Sequence, residues 1–248
     1  MRTNIMRFIR RIVGVEQLLK TQKSILYTVN ASYHASRFSQ AIQDCSWLKH
    51  KGFSFGDFNW AMDALALHNL FRILEDVKPR NIIEFGAGQS SKLVHQYAEY
   101  YKVNALTVEH DQDWIDHIKI HAPQINFNIR QVGLEKIKIN DKETFSYCNI
   151  AQLFCFGSGG NLIIVDGPFG QPHYSRSQIL EFVLDIAQRD FCVFMHDSER
   201  VGEQETLSLF CEKLNQNGVE YFVKNYFWSY NKQHTVICSK SWKLLITL

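Results

Sequence analysis

Several acidic residues in this chain stand at the ends of short apolar runs, beside glycines or small polar residues. The run Asn81-Ile82-Ile83-Glu84-Phe85 leads into Gly86-Ala87-Gly88-Gln89-Ser90, and the run beginning at Ala105 ends in Glu109. Glycines at 86 and 88 let the backbone turn tightly and come close to a ligand, and a helix opening just after them turns free N–H groups toward it. Glu109 lies 23 residues beyond Gly86, where a carboxylate can accept hydrogen bonds from both hydroxyls of a ribose. An adenosine-bearing cofactor fits both features. A dinucleotide would need a third small residue where the chain has Ser91, and Glu84 would repel its pyrophosphate. A carboxylate there suits a sulfonium or an amino group instead.

Asp166 and the pair His196-Asp197 end two further apolar runs, 161–165 and 191–195. Two carboxylates and an imidazole opening on one side have two chemical uses. Asp166 and Asp197 can hold Mg²⁺ or Mn²⁺, which lowers the pKa of an acceptor hydroxyl, or His196 or Asp166 can take that proton directly as general base. The bland alternative is Asp166 capping the next turn and His196 paired locally with Asp197. His173, Tyr174 and Arg176, in the loop after Pro168, are the candidates for meeting an acceptor. Arg176 suits a sugar carboxylate or a phosphate, or equally an internal bridge to Asp166 or Glu199. His110 and Trp114 follow Glu109, where a side chain either covers an adenine or simply packs. The histidines at 34, 50, 68, 95, 117 and 121 have no ligand-like spacing.

These residues share one cleft if the apolar runs are parallel strands, because ligands of open α/β sheets bind beyond the strands' carboxyl ends. The pattern supports that. Strands are expected at 81–85, 105–109, 126–132, 161–166 and 191–195, and helices at 60–77 (stopped by Pro79), 90–101, 114–121, 175–187 and 203–215. Two closing strands at 221–224 and 234–238 have no helix between them. Continuous apolar strands alternating with helices mean a sheet covered on both faces. The expected architecture is a Rossmann-like, doubly wound, mostly parallel seven-stranded sheet with one antiparallel strand near the C-terminus. Residues 53–58 read as a loop, with Asp57 or Asn59 capping the next helix, and 133–160 is less regular. Residues 1–50 form a helical extension ahead of a domain over 51–248.

With its strand, turn and helix, the run from Ile82 to Ser90 resembles the first motif of class I S-adenosylmethionine-dependent methyltransferases. Val108-Glu109-His110-Asp111 is similar to their second-strand acid motif. Val165-Asp166-Gly167-Pro168, Tyr174-Ser175-Arg176 and His196-Asp197-Ser198-Glu199-Arg200 resemble a subgroup that includes bacterial proteins encoded with surface-polysaccharide genes and, more distantly, plant glucuronoxylan methyltransferases. The resemblance covers roughly residues 55 to 240. It implies that Gly86, Ala87 and Gly88 pack against the methionine part of S-adenosylmethionine, with Ser90 beside them. Glu84 would hold its amino group, Glu109 its ribose, and His110 and Asp166 would border it. It further implies an O-methyltransferase acting on a hydroxyl of a glycan or glycan precursor. A small phenol or a protein side chain is the alternative acceptor, and a non-catalytic scaffold the alternative role.

Composition narrows the setting. A chain 46% hydrophobic and 21% charged is that of a globular protein with a large core, and a net charge of +2 gives no case for nucleic acid. The six scattered cysteines contain no CxxC pair and read as reduced residues of a cytoplasmic protein. No apolar run is long enough to span a bilayer, and no secretory signal is evident. Residues 1–23 stand apart, with six basic residues against one acidic. That balance of +5 leaves −3 on the other 225 residues. Ile5, Phe8, Ile9, Ile12 and Val13 interleave with the arginines, so this helix suits either an anionic membrane surface or packing on its own domain or a second subunit.

Overall fold

The apolar runs become the strands of one sheet. A computed structural model describes the backbone of residues 2–53, 61–229 and 232–248, and the side chains of 14–53, 61–227 and 232–248. In chain order the elements are α1 (Arg2–Ala41), α2 (Ala64–Val77), β1 (Asn81–Phe85), α3 (Gln89–Tyr101), β2 (Asn104–Glu109), α4 (Gln112–His121) and β3 (Ile129–Gln131). The hairpin β4 (Leu134–Ile139) and β5 (Lys142–Tyr147) follows, then β6 (Asn161–Val165), α5 (Val183–Ile186), β7 (Phe191–His196), α6 (Val201–Gln216), β8 (Tyr221–Ser229) and β9 (Lys232–Ser239).

The main sheet has seven strands in the order β3-β2-β1-β6-β7-β9-β8. All are parallel except β9, which runs antiparallel to both β7 and β8. Strand order reverses between β1 and β6, which makes the gap beyond Phe85 and Val165 the place for a ligand. The strands alternate between two cores. Ile82, Leu162, Cys192 and Val236 face α2, α3 and the end of α1, where Phe38, Trp47, Leu70 and Tyr97 are buried. Ile83, Phe85, Ile163, Val193 and Ile237 face Tyr147, Phe182, Phe210 and Leu214. Burial on both faces explains why these strands read as unbroken apolar runs.

Four details differ from the sequence reading. Residues 2–41 form one helix whose last turn, through Phe38 and Ile42, already belongs to the domain core. The helix expected from 60 begins at Ala64, capped by Asp63, whose carboxylate accepts from the Ala66 amide at 2.9 Å. Asp57, Asn59 and Trp60, and most of the loop read at 53–58, lie outside the described residues. The span 134–147 is a hairpin closed by Asn140 and Asp141, both in the left-handed region. Finally, the helix expected over 175–187 is replaced by a 3-10 segment, Ser177–Phe182, and one α-turn, because Tyr174 and Arg176 adopt positive φ and turn the chain inward first.

Candidate active site

The carboxyl ends of β1 and β2 carry one half of the site. Gly86 has φ +88°, and a Cβ there would meet the backbone of Asp166 and Gly167 at 2.7–2.9 Å. The two turns touch across the switch point, so only glycine fits. At Gly88 an added Cβ would meet nothing, which leaves that side of the turn open. Glu84 is fully buried beneath it. Its Oε2 accepts from Ser91 Oγ and Thr107 Oγ1, both at 2.6 Å, while Oε1 has no hydrogen-bond partner among the described residues. Burial pushes its carboxyl up to about 7, with the nearby hydroxyls of Ser90, Ser91 and Thr107 opposing that rise.

Glu109, 5% exposed, gathers the amides of Ala87 at 3.0 Å, His110 at 2.6 Å and Asp111 at 3.0 Å. It thereby ties the glycine turn to the end of β2. The His110 ring lies against Glu109, with the rings of Tyr147 and Phe169 nearby at centroid distances of 6.2 and 5.6 Å. Trp114 Nε1 donates to the Ala87 carbonyl at 2.7 Å, so this tryptophan braces the turn. The Tyr147 hydroxyl, brought in by β5, is buried without a partner among the described residues. It would lie 2.9 Å from a Cβ placed on Gly167.

The ends of β6 and β7 carry the other half, an ion cluster. His196 is fully buried, with Nδ1 3.0 Å from Asp166 Oδ1 and Nε2 3.4 Å from Asp63 Oδ2. Burial alone would lower its pKa, but the carboxylates of Asp166, Asp63 and Asp197 outweigh that and lift it to about 10. It therefore carries a proton at neutral pH and is not a free base. Asp166 is held below the usual carboxylate range: burial raises it, and His196 and Arg176 more than offset this. Its side chain is 15% exposed, against 3% for Asp197 and 0% for His196, so it is the carboxylate open to an acceptor.

A divalent ion does not fit this arrangement. The donor atoms of Asp166, His196 and Asp197 do lie within 4.8 Å of one another, and Asp197 Oδ1 lacks a hydrogen bond among the described residues. Fixed cations already occupy their surroundings. Arg176 Nη2 is 3.5 Å from Asp166 and 3.4 Å from Asp197, Arg200 is 2.7 Å from Asp197, and Lys232 is 4.0 Å from it. A metal would have to displace these cations from the carboxylates or sit among their positive charges.

The residues expected to meet an acceptor separate. Arg176, 3% exposed, is an internal strut that donates to the carbonyls of His196 at 2.6 Å and Pro168 at 3.3 Å and bridges Asp166. His173 pairs with Glu205 at 3.1 Å, and the Tyr174 hydroxyl accepts from Asn140 at 2.9 Å. Tyr174, and the Glu205 that holds His173, line a groove between the hairpin tip and α6. Asp63, Tyr147 and Lys232 join the site unforeseen. No local pattern marks them, because they arrive from α2, the hairpin and β9.

No family model matches the chain, and no curated protein does. Solved structures do. The O-methyltransferase TomG from Streptomyces achromogenes, involved in tomaymycin synthesis and solved with S-adenosylmethionine, is 14% identical with a TM-score of 0.52, over 83% of this chain and 89% of that one. An O-methyltransferase from Bacillus cereus, solved with S-adenosylhomocysteine, is 10% identical with a TM-score of 0.46, over 84% and 91%. A precorrin-6y C5,15-methyltransferase from Geobacter metallireducens is 12% identical with a TM-score of 0.43, over 76% and 94%. The fold is the Rossmann-like fold of TomG. Among the described residues no helix is long and apolar enough to cross a membrane.

Proposed function

We propose that this chain is an S-adenosylmethionine-dependent O-methyltransferase that works without a metal. The observation carrying it is the buried Glu84 Oε1, which has no hydrogen-bond partner among the described residues, beneath a glycine turn that Glu109 ties to β2. An ammonium is the partner such an oxygen lacks, and Glu109 offers its remaining lone pairs to ribose hydroxyls. S-adenosylmethionine brings a methyl group already activated on a sulfonium. The protein's task is then alignment and removal of one proton.

Asp166 would take that proton from the acceptor hydroxyl as its oxygen is methylated, since it is the most exposed carboxylate of the cluster. His196, clamped between Asp166 and Asp63, holds the Asp166 carboxylate in place as a charged donor, and Arg176 does so from the other side. The acceptor we assign is a hydroxyl of a glycan or glycan precursor. It rests on the resemblance of the runs at 165–168, 174–176 and 196–200 to polysaccharide-associated methyltransferases.

Calorimetric titration with S-adenosylmethionine, with NAD as control, tests the cofactor. Binding is expected in the wild type and at least a tenfold loss in Glu109→Ala; no binding by a folded sample would end the enzyme reading. Labelled-methyl transfer to glycan precursors, compared with small phenols and proteins, tests the acceptor. EDTA should leave transfer unchanged, and a loss restored by Mg²⁺ would overturn the metal-free mechanism.

A further inference from the structure

At 1.5 Å per residue the forty residues of α1 span about 60 Å, yet every residue from 14 to 29 is exposed and, among the described side chains, the first buried one is Phe38. Its composition does not favour an isolated helix. Gly14, Val15, Thr21, Ser24, Thr28, Val29, Asn30 and Ser32 are weak helix formers, and helices in water draw most of their stability from packing.

The sequence of α1 repeats every seven residues. Ile5, Ile12, Leu19, Leu26 and Tyr33 fall at strict seven-residue intervals. Phe8, Val15, Gln22, Val29 and Ser36 each follow three residues later, and neither set contains a charge. These are the a and d positions of five heptads. Where side chains are described, the seam is bare: Val15 is 53% exposed, Leu19 50%, Leu26 44%, Val29 58% and Tyr33 55%. A seven-residue repeat departs from the 3.6-residue turn in the sense that winds a helix left-handedly around another helix. A flat lipid surface imposes no such period.

Charge and register identify the second helix. With the chain paired in parallel and in register with its own copy, Arg11 at a g position faces Glu16 at the following e position of the other chain, twice by symmetry. Among the described residues of one chain, Glu16 pairs with Lys20, at 3.6 Å. Gln22, the polar residue in the middle of the seam, then meets Gln22 of the other copy, the kind of pair that sets register. Antiparallel pairing would lose the Arg11–Glu16 pairs. In the heptad register Arg7, Arg10 and Lys20 fall at c, f and b, outside the a and d sets. We infer that the exposed seam of α1 is the site where a second copy of this chain docks, as a parallel two-stranded coiled coil carrying both domains at its C-terminal end.

Sedimentation velocity of the full chain at micromolar concentration should show a dimer, and Leu19→Glu/Leu26→Glu should convert it to a monomer whose domain melts as the wild type does. Under oxidation, Gln22→Cys should yield a disulfide-linked dimer that Lys20→Cys, an outward control, does not. A wild-type monomer overturns the inference, and one that also co-sediments with phosphatidylserine vesicles assigns the seam to lipid instead. A dimer that survives both glutamates, or that fails to cross-link at position 22, overturns it as well. If the double variant does not fold, the two cysteine variants decide.

Discussion

Replacing Glu84 by glutamine should change the pH dependence of stability in a way that only a buried, protonated carboxyl produces. In the folded chain burial holds this group near 7, against an ordinary value of 4.5. A carboxyl with a raised folded pKa binds its proton more tightly in the native state. Its stabilising contribution is therefore complete below about 4.5 and is lost as pH rises through about 7. The interval corresponds to about 3 kcal/mol, at 1.36 kcal/mol for each tenfold change in proton affinity. Glutamine keeps the oxygen that accepts from Ser91 and Thr107 and places an amide nitrogen where Oε1 lacks a partner. That nitrogen costs about 1–3 kcal/mol at every pH. Urea denaturation of the ligand-free proteins from pH 5 to 8 separates the two effects. The stability of the wild type relative to the variant should fall by about 2.5 kcal/mol across that range. A difference that stays flat would mean that Glu84 is already ionised in the fold, and would remove the argument that it awaits a cationic partner.

Gly86→Ala should cost about 2–5 kcal/mol in denaturation midpoint experiments, from left-handed backbone strain and from a Cβ forced against Gly167; a loss under 1 kcal/mol would refute the close approach. Asp63→Asn should preserve the α2 cap but remove one carboxylate from His196, so an NMR titration should find the His196 midpoint at least one pH unit below that of the wild type. An unmoved midpoint would exclude Asp63 from the network. Arg176→Met should destabilise by about 3–5 kcal/mol by leaving Asp166 and Asp197 without their shared cation, and Asp197→Asn in the same chain should recover part of that. Strict additivity of the two changes would show that the pair is not coupled. At saturating S-adenosylmethionine, where Glu84 is paired, the pH–rate profile of methyl transfer should lack a limb near 6.5, since His196 keeps its proton to about 10.

Local chemistry determined much of this protein. The apolar runs ending at Phe85, Glu109, Val165 and His196 were legible because strands buried on both faces must be apolar at every position except where they reach the cleft. Glu84, Gly86, Gly88 and Glu109 were legible because they lie within or beside a single strand–turn–helix unit, where spacing alone places them. The β4–β5 hairpin carried a weaker signal, an alternation of lysine and isoleucine ended by Asn140-Asp141. Tertiary structure alone decided the charged half of the site. Asp63 reaches His196 across 133 residues, and Lys232 and Arg176 approach Asp197 from separate elements. No sequence spacing encodes such meetings. They follow from how the helices and strands pack, and that packing makes His196 a protonated clamp, although an isolated histidine would be a base near neutral pH. Arg176, which the sequence left open as either an acceptor ligand or an internal bridge, was settled the same way, because positive φ at Tyr174 and Arg176 turns its side chain into the cluster.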